Sequence, residues 1–180
     1  LLEMPTMTAE EYLDAEARAS EKHEFDNGNL IEMAGGDLTH NLIKGEIFSL
    51  LKQLIEANQL PFWVLDSDMK TWFPALDKFV CPDITVISKP PQFYVAPSGK
   101  VRRDAIVNPV LIVEVLSHET RDYDKGNKFD GYCTLPTFRE HLLVEPEKTW
   151  AKTIFLEDPA NGLQRVKTYT DRADRVHLHS

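Results

Sequence analysis

Two acidic residues stand where apolar strands ordinarily carry none. Asp83 follows Pro82 and leads into Ile84-Thr85-Val86-Ile87, and Glu114 lies inside Val110-Leu111-Ile112-Val113-Glu114-Val115-Leu116. A near-continuous Val/Ile/Leu run reads as a central strand buried on both faces. An ionised carboxylate there is costly unless it is paired, hydrogen-bonded or bound to a metal. If the two strands lie side by side, both acids converge at one sheet edge. Paired carboxylate oxygens suit a hard cation such as Mg²⁺. Glu24, His40 and Lys128 are the other residues whose chemistry could join them. Most of the five also have a plainer use. Asp83 could bond a turn, whereas Glu114, between Val113 and Val115, is hard to excuse structurally. Glu24 suits a solvated hairpin, and His40 suits capping or packing at a helix start. Lys128 stands four residues after Asp124, the spacing of an exposed helical ion pair worth a few tenths of a kcal/mol.

The elements that must position these residues follow from local pattern. Thr8-Ala9-Glu10-Glu11 matches a capping box and opens a short helix to about Ala19. Asn27-Gly28 between alternating runs predicts a β-hairpin over 23–33, with Phe25, Leu30, Ile31 and Met33 supplying apolar contacts. Leu42, Ile43, Ile47, Leu50, Leu51, Leu54 and Ile55 recur at helical spacing and predict a buried stripe, capped by Asp37 or Thr39. Gly45 within it invites close packing by a neighbour, since glycine there costs about 1 kcal/mol against alanine. Strands are expected at 62–66, 69–73 and 80–87. Residues 89–108, with three prolines, Gly99 and the basic cluster Lys100, Arg102 and Arg103, read as a connector. The Glu114 strand is followed by a helix from Thr120 to about Leu135. A strand at 141–144 and a closing pair at 150–155 and 163–169 complete the chain. Ser117-His118 is a triad fragment only by adjacency, because strand neighbours point to opposite faces.

A chain of 180 residues with 42% hydrophobic and 27% charged residues is most simply one domain, 1–180, with a core of its own. The net charge of −9 counts against a broadly basic nucleic-acid binder, though a local basic face can coexist with it. Cys81 and Cys133 have no metal-ligand or redox spacing. They are expected to be free, buried thiols in a cytoplasmic protein. No apolar run is long enough to cross a bilayer, and no membrane partner is expected.

The order of motifs resembles a known family. PD-(D/E)xK nucleases carry an Asp on one strand and a Glu or Asp on the next, followed two residues later by Lys. Pro82-Asp83 and Glu114-Val115-Leu116 fit that frame except at Leu116. The chain is more closely similar to the Uma-two family of restriction-endonuclease-like proteins. The likeness lies in His23-Glu24-Phe25-Asp26-Asn27-Gly28, Met33-Ala34-Gly35-Gly36, His40-Asn41, Pro82-Asp83-Ile84 and Glu114-Val115-Leu116-Ser117. It continues through Thr120-Arg121-Asp122-Tyr123-Asp124 and Lys128 with Tyr132. It covers the chain from about Thr8 to Val144.

The resemblance implies an α/β (α+β) fold: a restriction-endonuclease-like mixed central sheet flanked by helices, with an N-terminal helix and β-hairpin, often in a homodimer. It implies Mg²⁺, with Mn²⁺ as a substitute, held by Asp83 and Glu114, and Glu24 as a further acid nearby. Nucleic acid, DNA before RNA, is the implied substrate. The Val115 carbonyl could add a ligand. Leu116 takes the usual lysine position, so Lys128 would supply the displaced ammonium and orient the attacking water, with His40 in a proton-transfer role. The rival reading is a catalytically inactive nuclease-fold module for binding or assembly, which the missing strand lysine and acidic charge both favour. A glycosidase using paired carboxylates is the third class, and no aromatic-rich cleft pattern accompanies it.

Overall fold

The computed structural model describes residues 7–33, 35–116 and 127–180. Among these, helix α1 (Ala9–Glu16) opens with the expected capping box. The Thr8 hydroxyl accepts the Glu11 N–H at 3.2 Å, and the Glu11 carboxylate accepts the Thr8 N–H at 2.8 Å. The helix stops short of Ala19: Ala17 is its C-cap, and the side chains from Ala17 to Ser20 are exposed. The hairpin forms between β1 (His23–Asp26) and β2 (Asn29–Glu32), with φ of 46° at Asn27 and 88° at Gly28. Both are positive, as a type I′ turn requires. Phe25 is buried, but Leu30 and Ile31 are exposed, contrary to expectation, because β2 is an edge strand with every residue open to solvent.

The remaining strands are β3 (Phe62–Asp66), β4 (Lys70–Phe73), β5 (Lys78–Val80), β6 (Ile84–Ser88), β7 (Phe93–Val95), β8 (Val101–Ile106), β9 (Pro109–Val115), β10 (Glu140–Glu145), β11 (Trp150–Asp158) and β12 (Leu163–Tyr169). They form two mixed six-stranded sheets, ordered β2-β1-β5-β4-β8-β7 and β12-β11-β10-β9-β6-β3. Helices α2 (Leu38–Ala57) and α3 (Asn127–Cys133) flank the second sheet. This is the mixed, helix-flanked α+β architecture expected, with its strands divided between two sheets.

Three local expectations are corrected. Residues 89–108 are not a plain connector: β7 and β8 pair there and extend the first sheet. Arg102 of the supposed basic cluster is buried and bound by Asp14 at 2.6 Å and Asp104 at 3.0 Å. Of the α2 stripe, only Leu51 and Ile55 are buried; Leu42, Leu50 and Leu54 are exposed, and nothing stands over Gly45. A single sheet face covers one side of a cylinder, and the leucines lie too far around it. Cys81 is buried as expected, whereas Cys133 is exposed, since Tyr132 and Leu135 take the inward positions.

The strand expected at 80–87 is two strands in different sheets. β5 ends at Val80 in the first sheet and β6 begins at Ile84 in the second. Cys81-Pro82-Asp83 is thus the crossing between the sheets. In the second sheet, β6 and β9 pair antiparallel with Ile84 opposite Val113. The next pair outward is Asp83 and Glu114. Along β9, Leu111 and Val113 face α2 with Leu51 and Ile55, while Ile112 faces Tyr132, Leu135 and Phe138. The two-residue period puts Glu114 on the Ile112 side, toward α3. Of the helix expected at 120–135, only α3 lies in the described residues; Ser117-His118, the 120–124 motif and Asp124 lie outside them.

Candidate active site

The strand register brings the two predicted acids together. The Asp83 N–H donates to Glu114 Oε2 at 3.1 Å, and the Val115 N–H donates to Asp83 Oδ2 at 2.8 Å. Pro82 has no N–H to offer, so the chain leaves the first sheet without a ladder bond there. Each acid satisfies the backbone of the other's strand, which locks both carboxylates at the strand ends. Glu114 is buried, while the Asp83 side chain keeps 16% of its surface open.

Glu24 reaches the same place from the other sheet. It is 2% exposed, not the solvated hairpin residue its position suggested, and its Oε1 accepts the Cys81 N–H at 3.0 Å. Lys128 is buried as well. Its ammonium lies 3.1 Å from Glu24 Oε1 and 3.6 Å from Glu114 Oε1. The Tyr132 hydroxyl, one turn further along α3, donates to Glu114 Oε1 at 3.0 Å. An ammonium between two buried carboxylates offsets their desolvation, which is what makes such acids tolerable.

His40 joins from α2. Asp37 caps the helix by accepting the His40 N–H at 2.7 Å, and the ring Nε2 lies 3.0 Å from Asp83 Oδ1. The ring sits against Gly36, where a Cβ would fall 2.5 Å from it, so the close approach requires glycine. The Asp83 carboxylate raises the His40 pKa above its ordinary value, with burial opposing it. His40 Nδ1 is buried and has no hydrogen-bond partner among the described residues. Burial, reinforced by Glu24, pushes the Cys81 thiol up to about 12.

All five sequence-predicted residues are therefore brought into one neighbourhood. His40, Asp83, Glu114 and Lys128 line a cleft of about 320 Å³, and Glu24 supports it from behind Cys81. Lining residues that escaped the sequence reading of the site include Lys44, Lys22, Glu21, Ser67 and Cys81. Lys44 had a signal, standing one helical turn after His40 and hence on the same face. The others come from a turn and a sheet crossing, which carry no periodicity.

The chemistry of the donor set suits a hard divalent ion. Asp83 spends one hydrogen bond on each oxygen, and a carboxylate oxygen has two acceptor positions. Among the described residues no group of three or more His, Cys, Asp or Glu is placed to hold a metal ion by itself. An ion such as Mg²⁺ that keeps several waters does not need one.

The fold defines a class, the nuclease-fold proteins. A crystal structure from Anabaena variabilis ATCC 29413, described as "a putative nuclease belonging to DUF820", shares the fold with a TM-score of 0.70 at 15% identity, over 96% of this chain and 89% of that one. The chain belongs to the Uma2 family, described as "Putative restriction endonuclease", whose model matches residues 9–179. Two relatives from Synechocystis sp. (strain ATCC 27184 / PCC 6803 / Kazusa) support this. Uncharacterized protein sll1609 is 37% identical over 139 residues, covering 77% of this chain and 75% of the relative. Uncharacterized protein slr1290 is 32% identical over 176 residues, covering 98% and 86%.

Proposed function

We propose that this protein is a divalent-cation-dependent nuclease that hydrolyses phosphodiester bonds of nucleic acid, DNA before RNA. The observation that carries the reading is the convergence of Asp83 and Glu114 at one cleft, with the buried Lys128 ammonium 3.6 Å from Glu114. Mg²⁺, or Mn²⁺ in its place, is the proposed cofactor, and Asp83 and Glu114 would hold it. When bound, such an ion lowers the pKa of a water and offsets the charge that builds on the attacked phosphate.

The chain's own groups do the rest. Lys128 holds positive charge where phosphate oxygens become more negative and orients the attacking water by hydrogen bonding. Glu24 fixes Lys128 in place from 3.1 Å. His40 holds the Asp83 carboxylate in its rotamer through Nε2 and can take up or return a proton at that nitrogen. The Val115 N–H keeps Asp83 Oδ2 aligned.

A second reading, a nuclease-fold binding module without catalysis, draws on one observation. Lys128 already compensates Glu24 and Glu114 within the chain, so the acids do not require a metal to be tolerated. Cleavage of plasmid DNA and single-stranded DNA in Mg²⁺ and Mn²⁺, compared with Asp83→Ala, separates the two. The nuclease reading predicts cleavage by the wild type and loss of at least a hundredfold in the variant. Equal cleavage by the variant would sink it.

We place the protein in the cytoplasm, where the free thiols of Cys81 and Cys133 stay reduced. Among the described residues no helix is long and apolar enough to cross a membrane. A homodimer is also proposed, through the exposed Leu38, Leu42 and Leu50 of α2. The charges on that outer face, Glu46, Lys52 and Glu56, nearly cancel, so two copies of a chain of net charge −9 can meet there with little repulsion.

A further inference from the structure

The cleft has an acidic wall and a basic one, and the proposed chemistry uses only the first. Lys44 projects into it from α2, one turn beyond His40. Its hydrogen-bond partner is the Ser67 hydroxyl, a weak contact at 3.5 Å. No carboxylate lies within ion-pair distance of it among the described residues. Lys22, on the same wall, is engaged by Asp68 and reaches the Ser67 carbonyl at 3.5 Å. Asp68 is thereby taken. Lys128 is committed to Glu24 and Glu114. Lys44 is thus the cleft lysine that makes no close ion pair among the described residues.

A half-buried ammonium in a cleft, spared an ion pair in a protein with nine excess negative charges, is placed for an anion from outside. A hydroxyl beside it adds a donor of the kind that phosphate oxygens take. We propose that Lys44 with Ser67 forms a backbone-phosphate subsite, which seats a phosphate of the DNA strand next to the one attacked at Asp83 and Glu114. This rests on the nuclease reading for its substrate but not for its test. A point charge from lysine positions the strand and carries no base preference. Lys44 is a positioning residue, and Ser67 completes its grip.

The test is binding, not cleavage. Fluorescence anisotropy with a fluorescein-labelled DNA duplex and its single strand, in EDTA so that no cutting intervenes, is titrated across a series of salt concentrations. Each phosphate contact contributes about 0.7 to 0.9 to the slope of log K against log[salt]. Lys44→Ala should therefore flatten the slope by about that amount and weaken binding about fivefold at 0.1 M salt. Lys44→Arg should restore both. Lys148→Ala, at an exposed lysine outside the cleft and near Glu145, should change neither. Thermal melting by circular dichroism establishes that the Lys44→Ala protein is folded. A wild-type slope and affinity in folded Lys44→Ala, or no DNA binding by the wild type, would overturn the proposal. Lys44-dependent binding without cleavage would leave the subsite standing and remove the nuclease. Asp83-dependent cleavage with an unaltered Lys44→Ala slope would do the reverse.

Discussion

Lys128 is the residue on which the buried charges turn. Its ammonium serves Glu24 from one sheet and Glu114 from the other, and all three side chains are at most 6% exposed. Lys128→Met keeps the length of the side chain and removes its charge, leaving two buried carboxylates without that partner. Breaking a buried pair from one side costs about 3–5 kcal/mol. Urea unfolding should show a loss of that size, whereas Lys152→Met on β11 should stay within about 0.5 kcal/mol. An unshifted midpoint for Lys128→Met would mean that the acids are satisfied without it. At this scale the sequence was informative where a residue was out of place. Asp83 and Glu114 stood out because their neighbours are β-branched and apolar. Glu24 and Lys128 did not, because each has a plausible local role and its actual partner lies about a hundred residues away.

Among the elements, local pattern placed α1, α2, the hairpin and the β10 and β11 strands, through a capping box, helical spacing, an Asn-Gly turn and short apolar runs. It failed where burial comes from distant packing. β7 and β8 lie in a proline-rich stretch and owe their pairing to the edge of the first sheet. The break at 81–83 was hidden because both flanking strands are apolar and only their sheets differ. One element carries a pH signature. His141 of β10 is fully buried against Phe129, Tyr132 and Phe138, with neither ring nitrogen hydrogen-bonded among the described residues. Burial, helped by Lys128 and Lys152, lowers its pKa to about 3. The folded chain therefore binds this proton less readily than the unfolded chain, whose histidine titrates at about 6.5. The stability from a neutral His141 is complete above about pH 6.5. It is lost as the pH falls toward 3, by up to about 1.4 kcal/mol per pH unit. His141→Phe should remove that part of the acid sensitivity, seen as a smaller difference between unfolding midpoints at pH 7 and pH 5. An equal difference in both proteins would contradict it.

At the scale of the molecule, the site exists only because two sheets meet. Glu24 bonds the crossing at Cys81 and pairs with Lys128, so the first sheet is fastened to the helix that covers the second. We propose on that ground that residues 1–180 fold as one domain. The family likeness carried the order of motifs, and the strand register supplied what the sequence could not, namely that Asp83 stands opposite Glu114. The outer face of α2 was misjudged as core, and its open leucines are what the proposed dimer would cover. Sedimentation velocity should give a dimer for the wild type and a monomer for Leu42→Glu with Leu50→Glu. A wild-type monomer at micromolar concentration would refute that interface.

The central claim, that Asp83 and Glu114 form one metal site, is tested most directly by calorimetric titration of Mn²⁺ into the wild type, Asp83→Ala and Glu114→Ala. Binding by the wild type at one site, lost in both variants while each remains folded, is the predicted result. Undiminished binding in either variant, or none in the wild type, would contradict it.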